Sequence, residues 1–247
     1  MATETFDRSI LERIARFRED TLAASGTWPA KRRLAAALRE LLDGVCTTDA
    51  SQADLLDAAD EIRTMAARFA SQPRMAAAPG VAEMALAGME TFHDRSPVVG
   101  LSNPVAPPLD LVPDPGNGIV HGTGRFGRAY EGAPGCVHGG FLAAAFDELL
   151  GMACIFSGSP GMTGEITIRY RRPTPVATEL RFEGRLTRVE GRRIFTSGEI
   201  YVGDDTLTAE STGVFISITR EKFEELDRAR ASRVSDAESR VRDPADR

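Results

Sequence analysis

The stretch Val137-His138-Gly139-Gly140-Phe141-Leu142-Ala143-Ala144-Ala145-Phe146-Asp147-Glu148 decides the fold of this chain. Two adjacent glycines open an apolar, alanine-rich segment that predicts a helix, and Asp147 follows seven residues after the second glycine. Glycines at a helix start leave backbone N–H groups bare of side chains, at the end where the helix dipole is positive. Such N–H groups suit the negative charge that develops on a carbonyl oxygen.

Asp147 is the second informative feature of this stretch. An ionised carboxylate is costly to bury in an apolar helix without partners, so its position requires an explanation. A bare N–H donor and a carboxylate on the same helix together favour acyl-transfer chemistry.

The spacing of Gly139 and Asp147 prevents them from serving one site within a single chain. They are eight residues apart, which is about 12 Å along a helix at 1.5 Å per residue. A reacting carbonyl must lie about 3 Å from its N–H donor and close to the attacking group. If both residues act, the spacing therefore predicts an obligate dimer with two composite sites.

Composition excludes several other classes of protein. The chain has 247 residues, of which 42% are hydrophobic and 27% charged, as in ordinary globular proteins. A net charge of −6 argues against nucleic-acid binding. Cys46, Cys136 and Cys154 form neither a disulfide framework nor a zinc motif, which favours a reducing cytoplasm. We expect no leader peptide, and no apolar run near the roughly 18 residues of a membrane span.

The first 95 residues are predicted to be helical. Apolar residues recur at helical spacing in four segments, near 10–17, 34–45, 55–69 and 81–92, with Ser51 as a predicted N-cap of the third. A proline-rich run from Ser96 to Pro115 then indicates a boundary, as a linker or extended edge.

Beyond that boundary, from 96 to 220, the period of apolar residues changes from 3.6 to 2. Strands are predicted at 118–126, 166–171, 180–186, 193–202 and 207–218, and a helix from Gly139 to Phe156. Consecutive strands with short turns imply an antiparallel sheet with one long helix. The remaining residues, 221–247, form a charged tail.

This order of elements resembles a known family. A strand, a His-Gly-Gly helix with an aspartate two turns in, and the strand Ile166-Thr167-Ile168-Arg169-Tyr170-Arg171-Arg172-Pro173 look like the hotdog-fold acyl-CoA thioesterases of the phenylacetate-degradation type, in the 4-hydroxybenzoyl-CoA thioesterase superfamily. The resemblance covers roughly Pro97 to Ile218. It implies an α+β hotdog fold, an antiparallel sheet wrapped around a long central helix, here with an N-terminal helical extension. It also implies a homodimer or a dimer of dimers.

The family's functional residues carry over to matching positions of this chain. The resemblance implies that Asp147 is the catalytic carboxylate, that the Gly139 N–H polarises the thioester carbonyl and that Thr163 supplies a hydroxyl. His138 and Gly140 then contact the substrate. Coenzyme A enters as part of the substrate, and no other cofactor and no metal is implied. Certain relatives have an asparagine six residues before the motif histidine, where this chain has Gly132.

Several interpretations stay open at this level. Asp147 either activates water as a general base or attacks the thioester directly to give an anhydride. Glu148 is assigned mainly a structural role. His138 could act as a general base, but a structural role at the helix start is favoured. A group of arginines has two possible roles. They could bind the phosphates of coenzyme A, or they could form a solvated face of the strands. These residues are Arg169, Arg171, Arg172, Arg192 and Arg193.

Two other functions compete with hydrolysis. A hotdog dehydratase or hydratase needs a catalytic histidine in a different context, and neither of its usual motifs occurs. A non-catalytic acyl-CoA-binding or partner-binding hotdog protein remains an alternative, because the N-terminal helices are suited to a lid, an oligomerisation arm or a docking surface.

Overall fold

An antiparallel sheet with one long helix on its inner face forms the centre of the molecule. The computed structural model describes residues 26–73, 93–159, 161–203 and 205–218. Six strands occur within these ranges: Asp110–Asp114 (β1), Ile119–Arg125 (β2), Gly161–Tyr170 (β3), Glu179–Glu190 (β4), Arg193–Val202 (β5) and Thr206–Ser217 (β6). They form one sheet in the order β1-β2-β4-β5-β6-β3. The five strands predicted from sequence are therefore confirmed, and β3 lies at a sheet edge.

The long helix spans Gly139–Cys154, which we call α3, and a single 3-10 turn, Ile155–Ser157, follows it. Its apolar stripe is buried against the sheet: Leu142, Ala145, Phe146, Leu149, Leu150, Ala153 and Cys154. Gly184 of β4 and Gly198 of β5 permit this close packing, because a Cβ at either position would meet a Leu149 side-chain carbon at 2.9–3.0 Å. This is the hotdog fold, as the sequence predicted.

The same helix corrects one expectation. The segment Gly139–Ser157 is long and apolar enough, by length and composition alone, to span a membrane, although no such run was expected. Here the segment is the core helix, and its burial against the sheet accounts for its apolar composition.

The proline-rich run is more than a linker. Val98, Val99, Ala106 and Leu109 are buried, and the run ends in the edge strand β1. Proline is tolerated in an edge strand because it removes few ladder hydrogen bonds there. The predicted extended edge is thus present, but the run also contributes Val98, Val99, Leu109 and Leu111 to the hydrophobic core.

Two of the predicted N-terminal helices are described, Trp28–Thr47 (α1) and Gln52–Ala70 (α2). Ser51 caps α2 as predicted, since its hydroxyl accepts a hydrogen bond from the Asp54 N–H. Helix α1 is attached to the hotdog body by an ion pair between Arg32 and Asp94. The predicted helices near 10–17 and 81–92 and the tail after residue 220 lie outside the described residues.

Candidate active site

The start of α3 exposes one backbone N–H group. His138 is the N-cap, and its Nδ1 accepts a hydrogen bond from the Gly140 N–H at 3.0 Å. Among the described residues, the Gly139 N–H has no hydrogen-bond acceptor. The donor that remains available at this helix end is therefore Gly139, next to an exposed histidine. This capping contact agrees with the structural role predicted for His138 at the helix start.

Tyr170, at the end of β3, contacts the carbonyl group of Gly139. Its hydroxyl donates a hydrogen bond to the Gly139 carbonyl oxygen at 2.9 Å. Its ring fills the space beside Gly139, where a Cβ would lie 3.2 Å from the tyrosine oxygen. Tyr170 was not among the site residues predicted from the sequence. The only feature of the sequence that could have indicated a role for Tyr170 is its position in the Tyr-Arg-Arg-Pro motif.

Asp147 lies two turns further along α3, on an exposed flank of the helix. Thr163 donates a hydrogen bond from its hydroxyl to Asp147 Oδ1 at 2.7 Å. One carboxylate oxygen is thus held by β3 while the other is left for a further contact. The structure brings together the two residues that the sequence had paired only by resemblance.

A β-bulge makes this contact possible. The β3–β6 register shifts between Thr163 and Glu165, so Gly164 is the extra residue. In a regular strand Thr163 would share a face with Glu165 and Thr167, away from α3. The bulge reverses this alternation, and Thr163 and Tyr170, seven residues apart, both face the helix.

Gly132 is required by the close approach of His138. A Cβ at position 132 would lie 2.8 Å from His138 Cα and 2.9 Å from its Cβ. The asparagine of certain relatives therefore does not fit this backbone without movement.

Glu148 faces away from Asp147, about 100° around the helix. The pKa of Glu148 is raised to about 7, chiefly by burial and then by the charge of Asp147, while a hydrogen bond with Ser96 opposes the rise. Ser96 itself is buried and accepts hydrogen bonds from the N–H groups of Val98 and Val99. Glu148 thus joins α3 to the segment before β1, in keeping with a structural role.

Three of the five candidate phosphate-binding arginines lie at the end of β3 and just beyond it, whereas Arg192 and Arg193 lie just before and at the start of β5. Glu210 of β6 faces two of them, with Arg171 Nη2 at 2.5 Å and Arg169 Nη1 at 3.7 Å. Arg172 donates instead to the Leu207 carbonyl oxygen at 3.0 Å. A solvated strand face thus accounts for Arg169 and Arg171 as they stand.

The two halves of the predicted site remain apart in one chain. Thr163 with Asp147 forms one half, and Tyr170 with Gly139 forms the other, eight residues away on the same helix. Among the described residues, no group of three or more His, Cys, Asp or Glu side chains is arranged to hold a metal ion.

Comparisons with known proteins point to one family. A family model described as the thioesterase superfamily matches residues 134–209. A crystal structure of a thioesterase superfamily protein superposes with a TM-score of 0.67 and 32% identity, over 76% of this chain and 90% of that one.

Curated relatives give the same indication over a shorter length. The acyl-coenzyme A thioesterase THEM4 of Xenopus laevis is 33% identical over 93 residues, which are 37% of this chain and 42% of that protein. THEM4 of Bos taurus is 36% identical over 97 residues, 39% of this chain and 40% of that protein. The chain thus spans about two fifths of the length of these relatives.

Proposed function

The chain belongs to the thioesterase superfamily, and from this premise we propose that it hydrolyses an acyl-coenzyme A thioester to the free acid and coenzyme A. One observation carries the proposal: an exposed carboxylate, Asp147, has one oxygen held by Thr163 on the flank of the helix whose first N–H is available. The names of the curated relatives agree with this activity.

The Gly139 N–H is proposed to polarise the thioester carbonyl. It lies at the positive end of the α3 dipole, and the neighbouring Gly140 N–H is already taken by His138. The Tyr170 hydrogen bond to the Gly139 carbonyl oxygen fixes the orientation of this turn. We therefore assign Tyr170 and His138 to positioning the donor, where a preorganised N–H contributes most.

Asp147 is proposed to activate the attacking group. As a general base, it takes a proton from water while the water oxygen attacks the carbonyl carbon. The tetrahedral intermediate then collapses, the C–S bond breaks and the thiolate leaves to take up a proton. As a nucleophile, it forms an acyl anhydride and displaces the thiolate, and water then hydrolyses the anhydride. Thr163 holds one oxygen in both routes.

Two copies are proposed to complete each site. Eight residues of α3 separate Gly139 from Asp147, about 12 Å, which is too far for one thioester to contact both within a chain. Strand β3 carries a partner of each residue and lies at the sheet edge, with Met162 and Tyr170 more than half exposed. Pairing two β3 edges is a self-complementary way to bring Asp147 of one copy to Gly139 of the other.

Coenzyme A phosphates are proposed to meet the arginines after β3. Arg172, bound to a backbone carbonyl rather than to a carboxylate, is best suited, because it need not give up an ion pair. Arg169 and Arg171 would have to share their charge with Glu210.

A thiol-release assay tests the proposal. Purified protein is given a panel of acyl-coenzyme A thioesters, and we expect Asp147→Asn to lower turnover by about two to four orders of magnitude. Asp57→Asn, an exposed aspartate of α2, is the matched control and should keep full turnover.

The assay also separates the alternatives. Near-normal turnover of Asp147→Asn removes this residue from the mechanism. Binding of acyl-coenzyme A by the wild-type chain without any thiol release favours the non-catalytic binding protein.

A further inference from the structure

Helix α2 presents an apolar surface with the spacing of a coiled-coil seam. None of its 19 residues is buried. Leu55, Ala58, Ile62, Met65 and Phe69 follow one another at intervals of three, four, three and four residues. Their four large side chains are 41–47% exposed. Exposing such a seam over about four helical turns is unfavourable in water.

The charged residues beside this seam lie on one of its two flanks only. Asp54, Glu61 and Arg68 precede Leu55, Ile62 and Phe69, so they lie on one flank of the seam. The other flank has Ala59 and Ala66, which are small and uncharged. A parallel pair of α2 helices would place the charged flank against these alanines. An antiparallel pair places Asp54 opposite Arg68 of the second copy, twice.

We propose that α2 binds α2 of a second copy of this chain, antiparallel, about a two-fold axis near Ile62. The surface is then self-complementary, as a two-fold interface requires, and it buries both seams while forming two identical Asp54–Arg68 pairs. Glu61 lies near the axis and faces Glu61 of the second copy, and the repulsion between the two carboxylates costs some stability. This interface joins copies that are not paired through β3, so it is separate from the site proposed for hydrolysis and does not depend on that function.

The first test is the mass of the full-length chain in solution, measured by light scattering or sedimentation. We expect Ile62→Glu to halve the mass of the assembly at a given concentration. Thr64→Glu adds the same charge outside the seam and should leave the mass unchanged. Because α2 contributes no buried residue to the fold, neither variant should lower the melting temperature appreciably.

The second test uses the charges. We expect Arg68→Glu to weaken association about tenfold, since two exposed ion pairs become repulsions. Asp54→Arg combined with Arg68→Glu should restore it, and the Ser51 cap persists because it binds the backbone N–H of residue 54. Glu61→Gln should strengthen association.

The outcomes are decisive in both directions. Halved mass in Ile62→Glu together with rescue by the double variant supports the antiparallel pair. An unchanged mass means that α2 does not join copies that lie outside the β3-paired dimer. A halved mass without rescue means that the seam binds another surface of the second copy. Either of these results overturns the proposal.

Discussion

Gly139 occupies the first position of α3, where a proline is sterically acceptable. His138 before it has ψ of 132°, which is the conformation preferred by a residue that precedes proline. Gly139→Pro therefore deletes one N–H group with little disturbance of the helix. We expect it to reduce kcat/KM by about two to three orders of magnitude, the usual cost of an oxyanion donor.

Gly139→Ala is the matched control for this change. It adds a Cβ that meets the Tyr170 oxygen at 3.2 Å, as the proline does, but it keeps the N–H. Thiol-release kinetics of the two variants separate the loss of the donor from crowding. Equal losses in both would exclude the amide as the oxyanion donor.

Glu148 links the stability of the protein to pH. Its pKa is about 7 in the folded state and about 4.3 in an unfolded chain. Between these pH values the folded state keeps a proton that the unfolded state releases. This contribution is therefore fully present at low pH and is lost as the pH rises to about 7.

Glu148→Gln removes this dependence. We expect the unfolding free energy of the variant to fall less than that of the wild type between pH 5 and pH 8, with the variant more stable at pH 8. Urea denaturation at both pH values measures this. Glu190→Gln, at an exposed carboxylate that faces Arg188, should behave like the wild type, and identical curves for Glu148→Gln would contradict the prediction.

At the scale of elements, β3 connects both halves of the site to α3. Thr163 binds Asp147 near one end of the strand, and Tyr170 binds Gly139 at the other. The bulge at Gly164 is what turns both side chains to the same face. Any change in the position of this strand therefore alters the acid and the N–H donor together.

Helix α1 is held to the hotdog body by a buried ion pair. Arg32 donates to both Asp94 oxygens, with Nη2 at 2.6 Å from Oδ2, and the Asp94 side chain has no exposed surface. Removing the arginine leaves a buried carboxylate without its cation. We expect Arg32→Ala to lower the unfolding free energy by about 3 kcal/mol, as measured by chemical denaturation.

Arg63→Ala provides the comparison for α1. Arg63 pairs with Asp60 on the surface of α2, with side chains 74% and 77% exposed, so its loss should change stability by less than about 0.5 kcal/mol. A loss below about 1 kcal/mol for Arg32→Ala would show that the ion pair does not anchor the helix.

At the scale of the whole molecule, the proposed composite sites predict complementation. Asp147→Asn and Gly139→Pro should each be inactive alone. When the two are refolded together, half of the dimers are mixed, and each mixed dimer has one intact site. We expect about a quarter of the wild-type activity. No recovery despite verified mixed dimers would mean that each site lies within one chain.

The sequence predicted the elements of this fold because they follow local patterns. Apolar periodicity located five of the six strands, and the glycine pair after His138 located the start of α3. The missed strand, β1, is five residues long and contains Pro113, so neither its length nor its composition distinguishes it from a loop. The contribution of the proline-rich run to the core was missed for the same reason.

The pairing of residues distant along the chain was decided by the tertiary structure alone. Alternation along β3 would place Thr163 with Glu165, and only the register with β6 reveals the bulge that turns it toward Asp147. The contacts of Tyr170 with Gly139 and of Glu148 with Ser96 join residues 31 and 52 positions apart. The local sequence thus determined which groups are present on α3, whereas packing between distant segments decided which partner each group meets, because hydrogen bonds and burial depend on distance in space.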